Sequence, residues 1–554
     1  MTDSSFDNPD DNFQGMRNSV DSSNINPCLL SDLDGAKCSL QSMHAQTLKE
    51  VRDVVRVLGK DRSECLAAVD FIQRLGIDHH FQDDIKSILT KQHLEWEDTH
   101  QQAELYQVAL CFRLLRQHGY TVSADVFQRF QDKDGKFREE LSPSINGWIS
   151  LYEATQLCME GEDILVEAEL FCCHLLNAVR ARCGYNQVKL IERTLNHPYH
   201  KTLPRFMTKN FIGDISSKAK KWERDLKHLA MMDYEIVQSQ HKMEAQQFFT
   251  WWNNTGLAKE MKLAKDLPMK WFMHSTVALH PKHSQLRVNI TKIVSLVYII
   301  DDIFDVYGSL DNLIIFTEAV QRWDYAEAEE LPHYMKSCLR VLFDTTEEFA
   351  NEIHQVQGFN PTSYLQKVWA NLFDAFLVEA TWFANKHLPL PDEYLKNGTV
   401  STGMHVILLH LFFMLCEKTY IIAEFLNENS RGMVNSAAAM LRLLDDLDSA
   451  TVTDTCPSST MPLTVPTDKT DETQVGKDGS YVDCYMQEHK GITHEMARNH
   501  VKLMISDLWK RLNSECLVLS PYSALFTNYT LNVVRILPLM YDHERRYTLP
   551  GFEE

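Results

Sequence analysis

In 554 residues the chain holds only 20 Gly and 17 Pro, under 4% each against usual shares of about 7% and about 5%. These are the residues that interrupt helices, glycine through its conformational freedom and proline through its missing N–H. Their scarcity over so long a chain therefore points to helices and excludes collagenous or loop-dominated folds. The periodicity agrees. Leu105, Val108, Phe112 and Leu115 recur at helical spacing, and Gly119 follows where a helix end favours it. The stretches 48–58, 64–75, 162–179 and 217–232 repeat the pattern between short polar links. Alternating apolar and polar runs bounded by turn pairs are nearly absent, and no fixed-period repeat marks a solenoid. The expected fold is all-α. A domain boundary is expected in the basic, polar stretch Lys209–Lys221, giving units of 46–215 and 216–554.

The formal net charge is −21, which argues against a nucleic-acid backbone reader and suits a protein that gathers carboxylates around metal. The 13 cysteines include no C-x-x-C pair, so neither a disulfide framework nor a zinc knuckle is expected. The best apolar run, His405–Cys416, is too short to span a bilayer. Residues 1–45 carry seven Asp against Arg17 and Lys37. Organellar import signals are basic and poor in acids, so the expectation is a disordered acidic leader and a cytosolic protein.

Three aspartates crowd one turn of SLVYIIDDIFDVYG: Asp301, Asp302 and Asp305. On a regular helix Asp301 and Asp305 share a face, with Asp302 about 100° round. That face continues Val294 and Val297, and Ile299, Ile300, Ile303 and Phe304 argue against free solvation. Carboxylates this close repel unless solvated or bridged by cations. Hard oxygen donors at this spacing suit Mg²⁺, which takes one or two carboxylates together with substrate phosphates. A second cluster, RLLDDLDSA, holds Asp445, Asp446 and Asp448, with Ser449 one turn after Asp445 and Arg442 one turn before it. Asp445 and Ser449 can hold a second Mg²⁺ while Arg442 binds a phosphate oxygen. The competing reading is an ordinary salt-bridged helix surface.

Six stretches together carry a resemblance: FRLLRQHGYTVSADVFQRF, SLYEAT, WWNNTGLAKEM, SLVYIIDDIFDVYG, LRLLDDLDSA and DGSYVDCYMQEH. From about residue 45 onward the chain resembles plant class I terpene synthases, nearest to the acyclic linalool and nerolidol branch, which lacks an N-terminal tandem-arginine motif. The resemblance implies an α-barrel-like N-terminal domain and a C-terminal helical bundle binding three Mg²⁺ (Mn²⁺ as the alternative ion) and an allylic diphosphate. It assigns the metal to Asp301, Asp302, Asp305, Asp445, Ser449 and Glu472, and the diphosphate to Arg442 and Lys265. The implied reaction ionises farnesyl or geranyl diphosphate and captures water as nerolidol or linalool, in a monomer. Trp271, Phe272, Tyr298, Phe304, Trp382 and Phe412 are the candidate aromatics around the allylic cation, and Tyr541 and Tyr547 the candidate caps. No D-x-D-D motif supports protonation-initiated chemistry.

Three positions depart from the family pattern. Where Arg-x-Arg is usual, Lys265, Asp266 and Leu267 stand, so a point charge replaces the bidentate fork. His274 replaces a cavity tryptophan. Thr453 stands where the second metal motif normally ends in Glu. Removing Thr451–Lys469, which carries Pro457, Pro462 and Pro466, brings Glu472 to the expected spacing. The segment reads as a 19-residue, non-helical insertion. The rival expectation is thus a mis-spliced or catalytically impaired relative whose second metal motif is broken. A chain-elongating prenyltransferase fits less well, because Ser449 stands where its second motif needs a carboxylate. A non-enzymatic helical scaffold is the remaining alternative.

Overall fold

The computed structural model describes residues 27–58, 61–96, 100–138, 140, 144–216, 218–261, 267–415, 432–454, 479–518 and 522–540. Among the described residues the architecture is all-α, and the one pairing outside helices is an isolated antiparallel bridge between Gln131 and Phe137. The N-terminal domain contains α1 (Pro27–Leu58), α2 (Arg62–Arg74), α3 (Gln82–Leu94), α4 (Leu105–Gln117), α5 (Ile145–Thr155), α6 (Asp163–Arg180), α7 (Tyr185–Asn196) and α8 (Thr208–Asp214). The stripe foreseen for α4 faces inward: Leu105, Val108, Phe112 and Leu115 are each at most 2% exposed. Gly119 follows at φ +80°.

Helix α1 starts at Pro27, inside the segment 1–45 expected to be a disordered leader. Its stripe of Leu40, Leu48, Val51 and Val55 packs into the N-terminal core, and His44 on the same spacing is buried. The acidic composition of this segment masked that stripe.

Helix α9 (Lys221–Thr255) joins the domains. Its first half places Trp222, Leu226, Leu229 and Met232 in the N-terminal core. Its second half places Ala245, Phe248 and Trp252 in the C-terminal core. The boundary expected at 215/216 therefore falls just before a helix that both cores share. The seam is also polar: Asn513 Oδ1 accepts from the His200 ring Nε2 at 2.8 Å, and its Nδ2 donates to the Gln156 and Cys158 carbonyls at 3.0 and 2.9 Å. Arg535 donates to the His200 carbonyl at 2.6 Å.

The C-terminal domain follows with α10 (Leu257–Glu260), α11 (Pro268–Ala278), α12 (Ser284–Asp302), α13 (Leu310–Arg322), α14 (His333–Gln357), α15 (Thr362–Ala384), α16 (Pro391–Ser401) and α17 (Met404–Met414). It closes with α18 (Gly432–Asp454), α19 (Tyr481–Glu488), α20 (His494–Leu517) and α21 (Ala524–Met540). Helix α18 carries Thr451–Asp454, so the first four residues of the expected insertion are helical. It ends three positions before Pro457, and in a continuing helix a proline ring would conflict with the carbonyl four residues back. Residues 455–469 lie outside the described part. No helix of the described residues is long and apolar enough to cross a membrane.

Candidate active site

The first acidic wall grows from a largely buried helix of the C-terminal domain. Along α12, Val288, Ile290, Ile293, Val294, Leu296, Val297, Ile299 and Ile300 are all buried, so the helix is anchored before its carboxylates emerge. Burial then sorts the three aspartates: Asp302 is 4% exposed, Asp301 is half-buried and Asp305 is exposed. The regular helix expected through Asp305 stops at Asp302. Residues Ile303–Tyr307 widen into a π turn, closed by the Gly308 N–H donating to the Ile303 carbonyl at 2.9 Å. A Cβ on Gly308 would stand 2.4 Å from Leu313 Cδ2, so any larger residue there would have to displace the buried Leu313 side chain. The wider turn moves Asp305 round from its i+4 place.

The second wall is built on α18. Burial opposes the charge of Arg442, but Tyr394, Glu379, Asp446 and Asp445 around it outweigh burial and hold the guanidinium above its ordinary range. Arg442 donates to the Ser401 hydroxyl at 2.7 Å and lies 3.6 Å from the Glu379 carboxylate. Its Nε is buried without a hydrogen-bond partner. Gly398 makes room for it, since a Cβ there would meet Arg442 Nε at 3.0 Å. Asp446 turns inward: it accepts from the Tyr394 hydroxyl at 2.9 Å and from the Tyr481 N–H at 2.9 Å. Burial pushes its carboxyl up to about 7. Asp446 is thus a tie between α16, α18 and α19, while Asp445 stays half-buried.

Both walls stand against the C-terminal half of α15. Phe304, next to Asp305, packs its ring 5.4 Å from Phe376. Glu379 lies one turn beyond Phe376 on the same face and reaches Arg442. Sequence reasoning passed over Glu379, although a single charge inside the apolar run AFLVEATWFA was a signal. Tyr394 and Ser401 gave none, because their side-chain partners lie 22 or more residues away.

The aromatic candidates divide by location. Trp271, Phe272 and Phe412 are fully buried core residues, and Trp382 belongs to a separate cluster with Tyr394, Leu443 and Tyr481. Tyr298 is half-buried one turn before the aspartates, stacked 6.1 Å from Trp271 and 5.9 Å from the His274 ring. Burial, helped by Lys270, pushes His274 down to about 3, so its ring is neutral at physiological pH. Lys265, Glu472, Tyr541 and Tyr547 lie outside the described residues, as does the side chain of Ser449; Leu267 packs on the C-terminal core. The donor set fits Mg²⁺ and a diphosphate: carboxylate oxygens on two walls, and a held guanidinium with a buried Nε–H to spare.

Two family models cover the chain: the terpene synthase N-terminal domain over residues 28–198 and the terpene synthase metal-binding domain over 253–458. The chain belongs to the terpene synthase family. It is 42% identical to an (E)-nerolidol synthase of Cannabis sativa, covering 92% of this chain and 90% of that one. It is 39% identical to the chloroplastic S-(+)-linalool synthase of Arabidopsis thaliana, covering 93% and 87%. Among solved structures it resembles isoprene synthase from grey poplar in complex with three Mg²⁺ ions and dimethylallyl-S-thiolodiphosphate, with TM-score 0.82, 31% identity, and 93% and 95% of the two chains covered.

Proposed function

We propose that this chain is a Mg²⁺-dependent synthase that ionises farnesyl or geranyl diphosphate and releases nerolidol or linalool. The observation that carries the reading is the convergence of two acidic walls and the half-buried Arg442 on one half of α15. Asp301, Asp305 and Asp445 are the residues to hold Mg²⁺, with Asp302, Ser449 and Glu472 completing the assignment made from the family pattern. When bound, the ions supply charge neutralisation of the departing diphosphate. Arg442, fixed by Glu379 and Ser401, presents its guanidinium to a diphosphate oxygen. The Tyr298 ring faces the allylic cation by cation–π attraction. The neutral His274 ring places no competing charge beside it. Water then attacks the tertiary carbon and gives up a proton to the departed diphosphate, leaving an acyclic alcohol, the product class named for the Cannabis and Arabidopsis relatives.

Incubating the purified chain with each diphosphate and Mg²⁺, followed by gas chromatography, tests the reading; no terpene from either substrate would overturn it. The second reading, an impaired enzyme, rests on the 19-residue segment 451–469. Against impairment stands the tie between Asp446 and the Tyr481 N–H, which pins the chain together on either side of that segment. The cytosolic placement proposed with the function rests on the acid-rich composition of residues 1–45, whereas the Arabidopsis relative is named chloroplastic. A fluorescent fusion of the full chain decides it, and plastid import would overturn it.

A further inference from the structure

Far along the chain from the acidic walls, four histidines gather at the N-terminal end of the domain seam. Three imidazoles aim at one carboxylate oxygen. His80 Nε2 lies 2.8 Å from Asp233 Oδ1, His79 Nε2 3.4 Å and His44 Nε2 3.8 Å. The ligand atoms of His44, His80 and Asp233 all lie within 4.8 Å of one another. The rings of His44 and His80 are 4.9 Å apart, those of His79 and His80 3.9 Å, and His280 closes the cluster 4.7 Å from His79.

A hydrogen-bonded network alone does not explain this crowding. One carboxylate oxygen offers two lone-pair directions, and three ring nitrogens converge on it. His44, 8% exposed overall, has a buried Nε2 without any hydrogen bond, at the cost that attends an unmet buried polar atom. Tetrahedral zinc with bonds of about 2.0–2.1 Å separates neighbouring ligand atoms by about 3.3 Å. The distances of 2.8 and 3.8 Å to Asp233 Oδ1 bracket that value.

The frame is held from outside, as ligand sets require. Arg205 donates to the other Asp233 oxygen, Oδ2, at 3.0 Å and to the Gly76 carbonyl at 3.2 Å, which leaves Oδ1 to the histidines. Arg52 of α1 donates to the His80 carbonyl and pairs with Asp84 at 3.2 Å. The three candidate ligands come from three separate elements: α1, the 3₁₀ turn Asp78–His80 and α9.

We propose that His44, His80 and Asp233 bind a zinc-class divalent transition metal, with the fourth position open to His79 or water. Imidazole-rich donor sets favour such ions over Mg²⁺, which prefers oxygen, so this site and the acidic walls select different metals. An ion here clips α1 to the helix that both cores share, and its expected effect is on stability and not on chemistry.

The test uses the full chain carrying Asp301→Ala and Asp445→Ala, stripped with chelator and titrated with ZnCl₂ at saturating Mg²⁺. We expect about one equivalent retained, a higher thermal midpoint, and visible absorption typical of tetrahedral coordination when Co²⁺ replaces zinc. His44→Gln and His80→Gln, checked for native circular dichroism and melting without metal, should each weaken retention by more than about 100-fold. His333→Gln, at an exposed histidine of α14, should leave it unchanged. Failure of the stripped chain to retain Zn²⁺ would overturn the site, as would equal retention in both the His44→Gln and His80→Gln chains. Should either glutamine variant fold poorly, the Co²⁺ spectrum of the parent decides: octahedral-type absorption counts against the site.

Discussion

The two acidic walls present similar strings of aspartates and use them differently. On the first wall the helix beneath is apolar and anchored, and burial falls from Asp302 through Asp301 to the exposed Asp305. The π turn aims the last of them. On the second wall the buried Asp446 holds Tyr394 and the Tyr481 N–H, while the arginine one turn earlier is fastened to Glu379 and Ser401. One wall therefore presents carboxylates, and the other divides its charges between presentation and scaffolding. A count of acidic residues is not a count of ligands; what separates the two roles is where each hydrogen bond goes.

Asp301→Ala carries the largest expected effect on this division. It should lower kcat/KM by at least about a thousandfold with the melting temperature little changed, because Asp301 is only half-buried. Turnover within tenfold of the parent would remove it from the metal site. Arg442→Lys should cost about 100-fold in kcat/KM, since the single nitrogen of an ammonium cannot span Glu379, Ser401 and the diphosphate as the planar guanidinium fork does. Deleting Thr451–Lys469, which returns Glu472 to the spacing of the family motif, should leave kcat within a few-fold of the parent; a rise of about tenfold or more would favour the impaired reading. Equal turnover with and without the segment would show the second wall complete as it stands. Asp446→Asn should change turnover only a few-fold and lower stability by about 1–3 kcal/mol, because an amide offers one acceptor oxygen where Tyr394 and Tyr481 need two. Loss of activity from a natively folded Asp446→Asn chain would break the distinction between the walls.

The helical class was legible because it follows from local signals repeated over hundreds of residues: few breakers, and stripes such as that of Leu105 to Leu115. The aspartates were legible for the same reason, each cluster lying within one or two turns. What escaped was non-local or was hidden by composition. The π turn Ile303–Tyr307 is a departure that helical periodicity does not encode. The role of Asp446 depends on Tyr481, 35 residues away. The start of α1 lay hidden because its stripe of Leu40, His44 and Leu48 follows directly on a segment rich in Asp, Ser and Asn. The histidine cluster draws on residues 44, 79, 80 and 233, a separation no spacing rule reaches.

The smallest effect concerns what the second wall's helix rests on. Glu515 of α20 receives a hydrogen bond from Ser436 of α18 at 3.5 Å, and Gly432 leaves room for its carboxyl, where a Cβ would meet Oε1 at 2.0 Å. Burial pushes this carboxyl from its ordinary 4.5 up to about 7, although Arg511 and the Ser436 hydroxyl pull the other way. A carboxyl whose folded value is raised favours folding while protonated in both states. That advantage is lost as pH rises from about 4.5 through about 7, and above that range the ionised group is a constant penalty. Glu515→Gln should therefore melt with the parent near pH 4 and be more stable at pH 8, by about 1–2 kcal/mol after discounting for partial exposure. The widening should occur between those limits in paired thermal melts. A difference that stays flat with pH would mean that Glu515 is as well solvated as the presented carboxylates, and would erase the contrast between the helix beneath the second wall and the apolar one beneath the first.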